Sequence, residues 1–159
     1  MTPPPLPSLE RIKIQAEKNK RLSEILIKLE GEKKYFDWVA TTAFYSALQF
    51  VTAFFEREKP IVKVYGIEKE ITGDIWDFIN YIPQYKPPHT VRLEILKTNY
   101  PAVYANYHPL YTLSDRARYY CYDVKSEEAT KALNYLNEIR KWHTSKKVQP
   151  EPPTPPPQK

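Results

Sequence analysis

From Tyr35 to Phe55 apolar residues recur on almost every side of a helix, and this stretch constrains the fold more than any other. A helix apolar nearly all round must be covered on most sides. At 1.5 Å per residue it would run roughly 30 Å. Ala40, Ala43, Ser46, Ala47 and Ala53 are small, so neighbouring helices can approach closely. Tyr35, Trp38, Tyr45, Phe50, Phe54 and Phe55 supply bulk. Asp37, Thr41, Thr42, Ser46 and Gln49 interrupt the run, so the apolar stretch is expected to fall short of a membrane span. A central core helix is the expected role.

The rest of the chain supplies partners for it. A first helix starts at the N-cap Ser8, with Ile12, Ala16, Leu22, Ile25, Leu26 and Leu29 as its stripe and Gly31 as its stop. Residues 60–88 read as an insertion. Ile61–Gly66 and Ile67–Thr72 are β-prone enough for a short hairpin. Asp74 then caps a short helix ending before Pro83. A third long helix covers His89 to Asn99. A fourth starts at Pro101 and is expected to kink at Pro109, with Val103, Tyr107, Leu110, Tyr111, Ser114, Ala117, Arg118 and Cys121 in one phase. The last opens at Ser126, with Ala129, Ala132, Leu133, Leu136 and Ile139 inward. The expected architecture is all-α: an up-and-down bundle of four to five helices over residues 8–143, with a small inserted segment. Residues 1–7 and 144–159 are proline-rich and are expected to be extended, solvated tails.

Composition narrows the chemistry. A single cysteine excludes an internal disulfide and a cysteine-based zinc site, as suits a reducing cytoplasm. Met1 to Pro7 lack the basic and apolar regions of a signal peptide. The chain is expected to be cytoplasmic and to engage no membrane. A net charge of +5 favours anionic partners. The 13 tyrosines imply a core whose rings also need hydrogen-bond partners. The 3 glycines are too far apart for a phosphate-binding loop. His89, His108 and His143 show no metal-ligand spacing, so neither a metal nor a cofactor is expected.

Two polar groupings remain. His89 and Arg92 stand about one turn apart and are expected to point the same way. Late in the fourth helix, Arg116 shares a face with Tyr119 and Tyr120, a combination able to hold a phosphate and stack a base. Arg118 falls in the buried phase and therefore needs a partner. Asp37 is the candidate.

Several of these pieces, taken in order, resemble HEPN-like domains. Asp37-Trp38-Val39-Ala40 followed by Ala43-Phe44-Tyr45-Ser46-Ala47-Leu48-Gln49 resembles that family's second helix. His89-x-x-Arg92, Tyr107-x-x-Leu110-Tyr111 and Ser114-x-x-Ala117-Arg118-Tyr119 resemble its later helices. The resemblance spans about residues 9–123 without the insertion. It implies a helical bundle, often a homodimer. Members include metal-independent endoribonucleases of defence and toxin–antitoxin systems. Others are non-catalytic partners of nucleotidyltransferases, or RNA- or nucleotide-binding modules.

The family's ribonuclease motif, an arginine followed after four to six residues by histidine, is missing. Gln49 stands where the family often shows histidine. Asp37, Tyr45 and Gln49 are then expected to be structural polar groups. His89, Arg92, Arg116, Arg118 and Tyr119 are the candidates for binding RNA or a nucleotide. His89, Arg92 and Arg118 are also the candidates for catalysis. The leading expectation is a non-catalytic binding component. A metal-independent endoribonuclease with a non-standard site and a homodimeric assembly subunit are the alternatives.

Overall fold

The computed structural model describes residues 7–29, 35–120 and 123–145. Six helices and one hairpin follow in the order α1 (Leu9–Leu26), α2 (Phe36–Glu58), β1 (Ile61–Val64), β2 (Ile67–Glu70), α3 (Ile75–Ile79), α4 (Pro88–Asn99), α5 (Pro101–Tyr119) and α6 (Ser126–Thr144). The chain is an all-α bundle with a small inserted hairpin. Gly31, Cys121 and most of both proline-rich ends lie outside the described residues.

Helix α2 is the axis, packed against α1, α5 and α6. Its buried face runs from Val39 through Phe44, Phe50 and Phe54 to Phe55. Contrary to the sequence expectation, α2 does reach the length of a membrane span among the described residues. Yet 72% of its most apolar window is buried within the bundle. It is also not covered on every side, because Trp38 and Tyr45 are exposed.

The seam between α1 and α2 differs from the expected stripe. Ile12 and Ala16 are buried, but Leu22, Ile25 and Leu29 face outward. Ser23 takes the inward phase instead. It meets Thr42 at 2.8 Å, and Ser46 donates to the Ala16 carbonyl at 2.7 Å. Small hydroxyl side chains let the two backbones approach. Their hydrogen bonds satisfy the polar atoms that this approach buries.

The hairpin has the anticipated register, Ile61 opposite Glu70 and Val64 opposite Ile67. Tyr65 and Gly66 both take positive φ, as a two-residue turn of the right-handed twist requires. Asn99 at the end of α4 holds the hairpin to the bundle. Its side chain accepts from Lys63 N at 3.0 Å and donates to Lys63 O and Ile95 O. We expect Asn99→Ala to cost about 1–3 kcal/mol in urea unfolding, because it strands backbone groups of β1. Amide exchange should quicken first at Val62 to Val64.

Helix α4 begins with Pro88 in its first turn, one residue earlier than expected. Helix α5 continues unbroken through Pro109. Ser126 opens α6, while Lys125 caps it and Glu128 accepts from the Lys125 amide at 3.0 Å.

Candidate functional site

The site grows from one buried ring. Phe44, in the middle of α2, has no exposed surface. Around it stand Tyr45 at 5.7 Å, His89 at 5.8 Å, Tyr107 at 5.7 Å and Tyr111 at 5.5 Å between centroids. Helices α2, α4 and α5 each contribute to this cluster. Its outer side is closed by Arg118, whose guanidinium lies 5.6 Å from the Phe44 centroid, 5.4 Å from Tyr45 and 4.8 Å from Tyr119. A guanidinium among aromatic faces is held by cation–π attraction and stacking.

Among the described residues, Arg118 makes hydrogen bonds only to neutral oxygens. Nη1 donates to Tyr45 Oη at 3.0 Å and to Tyr119 Oη at 3.4 Å, and Nε donates to the Ser114 carbonyl at 3.2 Å. Among the described residues it forms no ion pair. The expected pairing with Asp37 is therefore replaced. Asp37 lies eight residues before Tyr45, about 12 Å along the helix, which is too far to serve Arg118. It sits in the first turn of α2, where its charge favours the helix N-terminus. Nor is Arg118 fully buried; it is half-buried, with its neighbour Tyr119 exposed.

His89 is half-buried beside Tyr111, and its buried Nδ1 has no hydrogen-bond partner among the described residues. Burial lowers its pKa, and the charges of Arg92 and Arg118 lower it further, against a smaller opposing effect of Asp115. The imidazole is neutral at pH 7.

Arg92 departs from expectation. His89 and Arg92 are neighbours, but of the two it is Arg92 that lines a cleft between α1, α2 and α4. Arg92 is buried at 6% exposure. Tyr107 is a close polar neighbour, its phenol pushed up to about 12 chiefly by burial. Among the described residues, neither Arg92 Nε nor Tyr107 Oη completes a well-formed hydrogen bond.

Arg116 is also placed elsewhere. Two residues from Arg118 means about 200° around the helix. It lines a separate groove between α5 and α6 with His108, Leu113, Lys131 and Tyr135. Tyr119 thus belongs with Arg118 rather than with Arg116. Gln49 faces α1, where its Oε1 accepts from Asn19 at 3.0 Å. His108 stacks on Tyr104, and His143 is buried against Phe50, so the three histidines stay apart.

Of the expected residues, His89, Arg118, Tyr45 and Tyr119 come together. Phe44, Tyr107 and Tyr111 complete the cluster and were read from sequence only as core or motif positions. Trp38, seven residues before Tyr45, lies on nearly the same face of α2 and is exposed. Tyr45 and Tyr119 border Arg118 with exposed aromatic surface, which Trp38 extends about 10 Å along α2. Comparison with protein-family models, curated proteins and solved structures finds no match to this chain.

Proposed function

We propose that this domain is a non-catalytic, HEPN-like binding module that holds single-stranded RNA or a nucleotide on the α2–α5 face. The observation that carries the reading is Arg118: a half-buried cation, unpaired with any described carboxylate and stacked among tyrosines. Such a group can receive a phosphate without first breaking an ion pair. Tyr45, Tyr119 and Trp38 offer planar surface on which unstacked bases can rest. The net charge of +5 acts in the same direction. The absent arginine–histidine ribonuclease motif supports binding without cleavage. A place in a defence or toxin–antitoxin module, beside a nucleotidyltransferase or as a homodimer, rests on the family resemblance alone.

The test is incubation of a short labelled single-stranded RNA with the protein and a chelator, followed by native electrophoresis. Intact, retarded RNA is expected, with affinity falling as salt rises by a slope of about 0.7 per phosphate contacted. Absence of retardation, or retardation insensitive to salt, would sink the reading. One observation favours a second reading as a metal-independent endoribonuclease: the neutral His89 imidazole lies within electrostatic reach of Arg118. That reading requires chelator-resistant cutting, lost in His89→Ala. Uncut RNA removes it.

A further inference from the structure

Beyond the Arg118 cluster lies a cleft of about 710 Å³ between α1, α2, α3 and α4. This falls within the usual range of roughly 300–1,000 Å³ for small-molecule sites. Ile12, Leu48, Ile75 and Trp76 make much of its apolar wall. Arg11 and Lys18 line it from α1. Arg92 reaches it from α4, buried, with the Tyr107 phenol as a polar neighbour, and among the described residues its Nε completes no well-formed hydrogen bond and it forms no ion pair. Arginine keeps its proton under ordinary conditions, so burial does not neutralise it. A buried guanidinium with a neutral phenol beside it and no counter-ion among the described residues is a costly arrangement that an anion would relieve. Asp74 also lines the cleft, but its Oδ1 is occupied in capping α3, where it accepts from Trp76 N at 3.1 Å.

We propose that this cleft binds a small organic carboxylate with an apolar body, its anionic end paired with Arg92. The planar guanidinium fork matches a carboxylate through two parallel hydrogen bonds. A single negative charge neutralises the single buried cation. Phosphate has no apolar body to meet the walls. The body could be an acyl chain or an aromatic ring, since the walls suit either. This inference does not rest on the RNA reading, because neither Arg118 nor Tyr45 nor Tyr119 lines the cleft.

The experiment follows the three indole N–H signals in a ¹H–¹⁵N spectrum of the full chain. Decanoate and 1-naphthaleneacetate are titrated separately, with decanamide and inorganic phosphate as comparators. At least one of the two carboxylates is expected to move the Trp76 signal saturably while Trp38 and Trp142 stay in place. The carboxylate that responds identifies the body as acyl or aryl. Decanamide and phosphate are each expected to bind at least tenfold more weakly than that carboxylate. Arg92→Met, which replaces the buried cation with an apolar chain of similar length, should weaken carboxylate binding at least tenfold while RNA retardation is retained. Gln15→Phe, at an exposed position on the rim of the cleft, should weaken it without threatening the fold. The proposal is overturned if neither carboxylate moves Trp76, if all three indoles move together, or if decanamide or phosphate binds as well as the carboxylates.

Discussion

Phe44→Ala is expected to lower the unfolding free energy by about 3–5 kcal/mol, the largest loss for any single side chain near the site. The ring is wholly buried and touches residues of three helices, Tyr45 on α2, His89 on α4 and Tyr107 and Tyr111 on α5. Truncation removes the transfer free energy of the ring. It also leaves a cavity that a close-packed set of rings cannot easily collapse into. Arg118 loses one of its three aromatic neighbours. Phe44→Leu should cost less, because it fills part of the space. Urea unfolding of the two variants checks this. A loss below about 1 kcal/mol for Phe44→Ala would mean that the ring is not the keystone of the α2, α4 and α5 junction.

The second large effect is on acid stability, through His143 near the end of α6. The side chain is buried, and among the described residues neither ring nitrogen has a hydrogen-bond partner. Burial lowers its pKa to about 4, helped by Arg57 on α2, Lys13 on α1 and Arg140 on α6, while Glu17 on α1 opposes. The C-terminal end of α6 would by itself favour a cation. Desolvation and three positive neighbours outweigh it. In the unfolded chain the group titrates near its ordinary 6.5. The unfolded state therefore binds more protons between pH 6.5 and 4, so stability is full above that window and is lost as pH falls through it. From pH 7 to pH 5 the loss from this one group is about 2 kcal/mol. His89, whose pKa is also lowered, adds in the same direction. His143→Leu should flatten most of the dependence in urea unfolding at the two pH values. An unchanged pH dependence in that variant would contradict the assignment.

The bundle was readable because α2 is long, apolar and rich in small residues, which leaves few ways to bury it. The hairpin was readable from β-prone runs meeting at Tyr65-Gly66. The face of α1 was misread because its tightest contact uses Ser23 rather than a leucine. Hydrophobic periodicity does not register a hydroxyl that packs and bonds at once. The site was half legible. His89, Tyr45, Arg118 and Tyr119 are joined by the order of the helices and by phase along them. The partner of Arg118 was not legible, since rise along α2 decides between Asp37 and Tyr45. Arg116 was misassigned by spacing three residues to Tyr119, when Tyr119 folds over Arg118 at the end of the helix. Arg92 was expected beside His89. Its reach into a cleft lined by α1 depends on packing between distant segments, which no local pattern encodes.

The central claim, that the Arg118 cluster holds RNA, is tested most directly by fluorescence-anisotropy titration of a short labelled single-stranded RNA. Wild type, Arg118→Ala and Arg116→Ala are compared at the same salt, each with its helical content checked by circular dichroism. The account expects Arg118→Ala to bind about tenfold more weakly or worse, with a shallower salt slope. Arg116→Ala, in the groove between α5 and α6, should change affinity by no more than about threefold, roughly the loss of long-range charge alone. Equal affinity for wild type and a well-folded Arg118→Ala, or a greater loss in Arg116→Ala, would contradict it.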